Sequence, residues 1–202
     1  IKRVISIEKN KILFGLSIMI TRSRTLFIAD STVIHTPTSE ELADIAVQAA
    51  NVARHLGHIP RVGLLSFANF GNPTMKGTER INEAIEILNK RKVDFEYDGE
   101  MSADVALNKD LLKLYPFSGL SEPANVLIMP GLHSANIAAK LLGQVGGGQV
   151  MGPVLTGFSK SVQIMPIGAN VSEILNYAMF AAYDAVPIKE KDTRKLSKIS
   201  NK

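Results

Sequence analysis

Three acidic residues, Asp98, Glu100 and Asp104, lie close together near the middle of the chain. Asp98 and Glu100 share one face if the chain is extended there, because side chains alternate along a strand. Carboxylates at this spacing could bind a divalent cation. Acidic residues are also favoured at a helix start, where they interact with the dipole, and Asp104 falls in a predicted first helical turn. The pattern favours the helix start, and no metal site is predicted from the sequence.

Asn136 and Lys140 form a second polar pair. They lie four residues apart, and therefore on one face, of a predicted helix that follows an apolar strand. One interpretation is an exposed surface pair. The other is that the free N–H groups of the helix start, together with these two side chains, face a phosphorylated ligand.

The four histidines, at positions 35, 55, 58 and 133, show no spacing typical of metal ligands. Two of them, His55 and His58, lie near a predicted helix end, where a cation interacts favourably with the dipole. His133 is near a predicted ligand-facing loop. The chain has no cysteine, so disulfides and thiolate catalysis are excluded, and no Ser-His-Asp arrangement can be assembled from sequence order.

These side chains are positioned by short apolar strands that alternate with amphipathic helices. Two strands joined by a tight turn are predicted between residues 12 and 29. The spacing of Thr38 and Glu41 is that of a capping box, which predicts a helix start. Gly57 is a stop signal for the same helix. Further strands are predicted at 62–67, 93–97, 125–129, 150–155 and 162–165, and further helices at 78–90, 102–112, 134–142 and 170–185. This alternation favours an α/β fold with a parallel sheet covered on both faces.

Ligands of such sheets bind beyond the carboxyl ends of the strands. The segments expected there are 66–72, 98–100, 130–133 and 156–157. The loop from 68 to 77 is long and rich in Asn, Gly and Pro, which is typical of a mobile, ligand-facing element.

Charge is concentrated at the end of the chain. The sequence has 23 basic and 19 acidic residues, and residues 187–202 hold six of the basic and two of the acidic ones, so the body is neutral. We expect a folded domain over residues 1–186 and a basic, disordered tail over 187–202. The body has no basic face for nucleic acid. The most apolar run, Ile12 to Ile20, is about half of the roughly 20 residues that span a membrane, and a cytoplasmic protein is expected.

Four blocks resemble phosphate acetyltransferases, in order and at family spacing. They are Thr25–Val33 with Pro37–Ile45, Pro60–Phe67, Asp98–Leu107, and Ala124–Pro130 with Ala135–Lys140. A closing block from Gly152 follows them. The segments Ser66-Phe-Ala-Asn-Phe-Gly, Asp98-Gly-Glu-Met-Ser-Ala-Asp and Val162-Gln-Ile-Met more closely resemble the C-terminal phosphate-acetyltransferase-like domain of bacterial NADP-dependent malic enzymes.

The resemblance implies the phosphate acetyltransferase and isocitrate dehydrogenase-like fold, which has two α/β lobes with a cleft between them. The chain would contain one parallel-sheet, three-layer lobe nearly whole and the last segment of the other. Its start at Ile1 rather than Met leads us to expect a fragment of a longer protein.

The segment Gly157–Ile174 resembles the family's final signature, G-x-x-K-P-V-x-x-L-S-R-G-x-S-V-x-D-I. Where the signature has serine, arginine and aspartate, this chain has Pro166, Ile167 and Glu173. Arginine is the side chain best suited to bidentate recognition of phosphate. Loss of one donor that stabilises an oxyanion typically costs on the order of 10²–10³ in rate. We therefore expect no catalytic residues here.

By resemblance, the domain is a regulatory and oligomerising module of a malic enzyme that senses acetyl-CoA. The parent would convert malate to pyruvate and CO₂, with NADP and Mg²⁺ or Mn²⁺ bound in its own N-terminal domain, and would form a homodimer or a larger homo-oligomer. The candidate acetyl-CoA ligands are Ser66, Asn69, Lys76, Asn136, Lys140 and Lys160. Two alternatives remain: an active phosphate acetyl- or butyryltransferase, and a purely structural dimerisation module.

Overall fold

A computed structural model of the protein describes residues 1, 3–73 and 78–186. Within these ranges six strands form one sheet: β1 (Phe14–Ile20), β2 (Thr25–Ala29), β3 (Arg61–Leu65), β4 (Glu96–Met101), β5 (Val126–Ile128) and β6 (Gln149–Thr156). The helices are α1 (Ser39–His55), α2 (Glu79–Arg91), α3 (Ala103–Leu107), α4 (Lys109–Leu112), α5 (Leu132–Val145) and α6 (Val171–Asp184). The predicted tail, 187–202, lies outside the described residues.

The sheet has the strand order β4-β3-β5-β2-β1-β6. Four of its strands, β2, β3, β4 and β5, run parallel to one another, as the alternation predicted. Strand β1 is antiparallel to both β2 and β6, because the tight turn between β1 and β2 can join only antiparallel neighbours. Strand β6 therefore runs in the same direction as the parallel group, and its carboxyl end lies at the same edge.

Helices cover both faces of the sheet, which confirms the three-layer lobe. One apolar core lies under α1, α2 and α6 and includes the fully buried Phe14, Phe27 and Val62. The other lies under α3, α4 and α5 and includes Ile28 and Met101. Phe27 and Ile28 are consecutive in β2 and enter different cores, as expected of a strand buried on both faces.

Helix α1 begins with the predicted capping box. The hydroxyl of Thr38 accepts a hydrogen bond from the Glu41 N–H at 3.2 Å, and the Glu41 carboxylate accepts one from the Thr38 N–H at 2.8 Å. Its buried face is rich in alanine. These small side chains allow the helix to lie close to the sheet.

The segment 162–165 was predicted to be a strand, and this prediction is wrong. Gln163 occupies the free edge of β6 with its side chain instead: its amide oxygen accepts from the Leu155 N–H at 3.0 Å and its amide nitrogen donates to the Leu155 carbonyl at 3.2 Å. A side-chain amide offers the same donor and acceptor as a peptide group, so it replaces a ladder pair without a strand.

Two further boundaries differ from the prediction. Strand β4 runs from Glu96 to Met101 rather than over 93–97. Polar residues are accommodated on this edge strand, where the Glu96 carboxylate accepts from the Ser121 N–H at 3.0 Å. The helix predicted over 102–112 is broken at Asn108, which has φ −115° and ψ 118°. Its side chain accepts from the Asp110 N–H at 2.9 Å, so it caps a second, shorter helix.

Helix α6 leaves much of its apolar surface exposed. Only Tyr177 and Phe180 are buried against the core, while Leu175 and Met179 are 57% and 61% exposed. Among the described residues, no helix combines the length and the apolar character needed to cross a membrane.

Candidate functional site

The carboxyl ends of β2, β3, β4, β5 and β6 lie along one edge of the sheet. The loops that leave this edge begin at Asp30, Ser66, Ser102, Met129 and Gly157. They carry several of the residues that the sequence singled out as ligand-binding candidates.

Next to β3 and β4, the predicted ligand Asn69 joins two loops. Its side-chain oxygen accepts hydrogen bonds from the Ser102 N–H at 2.7 Å and from the Ser102 hydroxyl at 2.9 Å. The hydroxyl of Ser66 accepts from the Ala68 N–H at 3.3 Å. Ser66 therefore shapes the loop after β3, and Asn69 holds this loop against the start of α3.

Glu100 lies beneath the same loop and is completely buried. One carboxylate oxygen, Oε1, accepts from the Gly71 N–H at 3.1 Å, while the Glu100 carbonyl accepts from the Phe70 N–H at 2.8 Å. The other oxygen, Oε2, has no hydrogen-bond partner among the described residues. Sequence reasoning treated Glu100 only as a possible metal ligand. Here it supports the loop through one oxygen, and its second oxygen is buried beneath the same loop.

The three acidic residues of the sequence pattern do not converge. Asp98 accepts from the Gly99 N–H at 2.8 Å and the Gly119 N–H at 2.7 Å, whereas Asp104 lies in the first turn of α3. A hydrogen bond from Ser102 lowers the pKa of Asp104. Nowhere in residues 1, 3–73 and 78–186 do three potential metal-binding side chains cluster. The structure favours the interpretation as acidic residues that accept backbone bonds and start a helix.

Asp30 was not predicted, although it organises the loop after β2. It is 2% exposed, and its carboxylate accepts from the backbone N–H groups of Gly15 and Thr32, both at 2.8 Å, Val33 at 3.0 Å and Ile34 at 2.6 Å. The sequence signal that could have identified Asp30 is a single aspartate directly after an apolar strand. The four bonds depend on the turn of the chain around it, which sequence spacing does not show.

Asn136 also belongs to the framework of this edge. Its amide donates to the Ser31 carbonyl at 3.2 Å, which ties α5 to the loop after β2. Beside this bond, the Nε2 atoms of His35 and His133 are 3.0 Å apart. The sequence had drawn attention to His133, but not to its neighbour 98 positions away.

The lysine candidates have the most accessible side chains. Lys140 and Lys160 are both exposed, and neither has a salt-bridge partner within the described part of the chain. Lys160 follows the carboxyl end of β6, whereas Lys140 lies two turns into α5, on the same helix face as Asn136. Lys76 lies outside the described residues.

The three residues that depart from the family signature, Pro166, Ile167 and Glu173, do not lie at this edge of the sheet. Pro166 and Glu173 line a small cavity of about 40 Å³ against the first half of β6, away from that strand's carboxyl end. The Ile167 side chain is fully exposed. The Glu173 carboxylate accepts from the Asn170 N–H at 2.8 Å, and the Asn170 side chain accepts from the Glu173 N–H at 3.0 Å. Glu173 thus completes the capping box of α6.

The sequence matches the family model described as phosphate acetyl/butaryl transferase over residues 2–182. It is 50% identical over 185 residues to the NADP-dependent malic enzyme of Rhizobium meliloti, covering 92% of this chain and 24% of that protein. It is 34% identical over 162 residues to the phosphate acetyltransferase of Clostridium acetobutylicum, covering 79% of this chain and 49% of that protein. The chain thus spans about a quarter of the first relative and half of the second.

The fold matches solved phosphotransacetylases. The structure of the EutD phosphotransacetylase from Staphylococcus aureus superposes with a TM-score of 0.84 and 27% identity, covering 92% of this chain and 58% of that one. A phosphotransacetylase from Streptococcus pyogenes gives a TM-score of 0.85 with 28% identity, over 90% and 56% of the two chains. The α/β lobe described above is therefore the fold of these proteins.

Proposed function

Because the chain belongs to the phosphate acetyl/butyryl transferase family, we propose that it is a regulatory, oligomer-forming domain of a larger NADP-dependent malic enzyme, and that it senses acetyl-CoA. The family membership applies to both groups of relatives. The higher identity to the malic enzyme, together with the small share of that enzyme that the chain covers, supports a domain of such a protein.

The observation that carries the proposal is the loss of the phosphate-binding groups at Pro166 and Ile167. Phosphate recognition uses cationic, hydrogen-bonding side chains, and Ile167 is an exposed hydrocarbon. Proline has no backbone N–H to donate. Glu173 accepts the Asn170 N–H in the capping box, so it is engaged in starting α6. These three positions therefore offer phosphate neither a cation nor a hydroxyl group, and we propose that the chain does not catalyse acyl transfer.

The ligand edge keeps groups suited to coenzyme A. A diphosphate favours cations and backbone N–H groups, and the ammonium groups of Lys140 and Lys160 are exposed. The loop around Asn69 supplies further polar groups on the same edge. We assign these residues, with Ser66 and Asn136 as supports of the loops, to binding of acetyl-CoA.

In the parent protein, NADP, malate and a divalent metal ion would be bound by the N-terminal part. Binding of acetyl-CoA would bias the parent's activity through a coupling free energy of about 1–3 kcal/mol. The exposed apolar residues of α6 would be covered by the rest of the parent or by a second copy of the chain. The cytoplasm, which is reducing, suits a chain without cysteine.

Calorimetric titration of acetyl-CoA into this chain tests the binding proposal. We expect Lys140→Ala and Lys160→Ala each to weaken binding by about three- to tenfold, since each removes a charge-assisted contact with phosphate. Lys90→Ala is the matched control, because this exposed lysine lies on α2 at the opposite face of the sheet. If the Lys140→Ala protein binds acetyl-CoA as tightly as wild type does, Lys140 is not part of the binding site.

An acyl-transfer assay separates the alternatives. With acetyl phosphate and CoA as substrates, turnover well above the uncatalysed rate would identify an active transferase and contradict the proposal. A rise in Tm with acetyl-CoA and no turnover supports a sensor, because a ligand that binds only the folded state stabilises it. If neither turnover nor a rise in Tm is observed, the remaining alternative is the purely structural dimerisation module.

A further inference from the structure

We propose that His35 and His133 form a binding site for a divalent transition-metal ion that prefers imidazole ligands, such as Zn²⁺ or Ni²⁺. Their Nε2 atoms lie 3.0 Å apart, and the two rings are nearly perpendicular, with centroids 4.9 Å apart. Two imidazole nitrogens that bind one ion at about 2.0–2.1 Å are themselves roughly 3 Å apart. The observed separation therefore suits two adjacent ligands of a single ion.

The backbone holds the two histidines in place. Strands β2 and β5 are adjacent and parallel, so the residues after them leave the same edge side by side. The Leu132 N–H donates to the His35 carbonyl at 3.1 Å. Gly131 permits this approach, because a Cβ there would lie 3.0 Å from the same carbonyl oxygen. The pair is thus positioned by main-chain contacts rather than by side-chain rotamers alone.

A hydrogen bond orients the His35 ring. Its Nδ1 atom lies 3.1 Å from the Thr36 hydroxyl oxygen, and we assign Nδ1–H as the donor. This tautomer leaves the Nε2 lone pair directed at His133. Metal-binding histidines commonly donate their other ring N–H in this way, which fixes the tautomer and orients the ring.

In the absence of a metal ion, the His133 Nε2–H would donate to the His35 lone pair. On metal binding His133 places its proton on Nδ1, and the two exposed rings turn so that both Nε2 lone pairs point at an ion lying off the line between the nitrogens. The two imidazoles stay neutral and release no net proton. Both side chains are exposed, and water can fill the remaining coordination positions. The bound ion would cross-link the loop after β2 to the start of α5, at the edge assigned above to acetyl-CoA.

The site is independent of the proposed function, because it needs neither acetyl-CoA nor the parent enzyme. Titration of Ni²⁺ or Zn²⁺ into the full chain, purified without a histidine tag, tests it by calorimetry at pH 7.5. We expect one ion per chain and at least about tenfold weaker binding in each of the variants His35→Gln and His133→Gln, because each retains only one of the two ligands.

His55→Gln is the matched control, because His55 lies at the end of α1 and contacts Tyr183 rather than another histidine. Thermal unfolding without metal shows whether each variant is folded. A metal-dependent rise in Tm that is present in wild type and His55→Gln, and absent from both site variants, supports the proposal. It is overturned if the wild-type chain binds no ion, or if wild type and the two site variants bind equally well.

Discussion

The carboxylate of Asp30 accepts a hydrogen bond from the backbone N–H of Gly15 at 2.8 Å, which connects the end of β2 to the start of β1. Close approach requires glycine at this position, because a Cβ on residue 15 would lie 2.7 Å from the Thr32 Cβ. The same carboxylate holds the loop that leads to His35. The arrangement of the loop after β2 therefore depends on this buried side chain.

Asp30→Asn should lower the free energy of unfolding by about 1.5–3 kcal/mol, because hydrogen bonds to a charged acceptor are lost and one side-chain oxygen becomes a donor facing backbone N–H groups. Urea unfolding monitored by circular dichroism measures the change. Asp94→Asn is the control: its side chain is 81% exposed and pairs with Arg54, and such pairs contribute little. Equal stability of wild type and Asp30→Asn would contradict the role assigned to Asp30.

Local patterns predicted the elements of the fold well. Residues close in sequence encode the capping box of Thr38 and Glu41. They also encode the turn between β1 and β2 and the alternation of strands and helices. The family signature marked Pro166, Ile167 and Glu173 as departures, and the roles assigned to these positions stay a prediction. Gln163 was misread because an apolar, β-like segment does not reveal that one of its side chains will pair with the neighbouring strand.

The contacts of the candidate site were harder to predict, because they depend on which strands are neighbours. His35 and His133 meet only because β5 lies beside β2, and the chain order of the strands does not specify this arrangement. The environment of Glu100 has the same origin, since the loop that covers it leaves a different strand. Single-sequence spacing carries no signal for contacts of this kind.

Asn170→Ala should lower the stability by about 1 kcal/mol, because Asn170 caps α6. Its side chain accepts from the Glu173 N–H at 3.0 Å. The shift in the urea midpoint measures this effect, and Ser172→Ala is the control in the same helical turn. Glu173→Gln should change the stability less, because glutamine can also accept the Asn170 N–H. A loss from Glu173→Gln larger than that from Asn170→Ala would show that Glu173 has a role beyond the cap.

Lowering the pH should reduce the free energy of unfolding, because protonation of His58 favours the unfolded chain. Burial lowers the pKa of His58 below its ordinary value of 6.5, and its ring contacts Phe27 edge-on at 5.3 Å. The unfolded chain therefore binds a proton to His58 at a higher pH than the folded chain does. Stability is lost as the pH falls through 6.5 toward the lower folded pKa. His58→Gln removes this contribution, so wild type should lose more stability than the variant between pH 7.5 and pH 5.5. Equal losses of stability in wild type and His58→Gln would show that His58 makes no such contribution.

The exposed face of α6 should control self-association. Val171, Leu175, Met179 and Tyr183 recur at intervals of four residues, so they form one apolar stripe along the helix, and each is 48–74% exposed. If the proposed oligomer uses this stripe, Leu175→Glu should weaken self-association at least about tenfold, because the carboxylate would be buried without a partner.

Sedimentation velocity over a range of concentrations measures this association. Leu175→Glu should leave the urea midpoint nearly unchanged, because the wild-type side chain is 57% exposed and contributes little to the core. Leu114→Glu is the control, since Leu114 is 70% exposed and belongs to a different surface, just after α4. An oligomer that persists in Leu175→Glu but dissociates in Leu114→Glu would move the interface to the face covered by α3, α4 and α5. A wild-type chain that remains monomeric at all concentrations would contradict the assignment of this stripe to an oligomer interface.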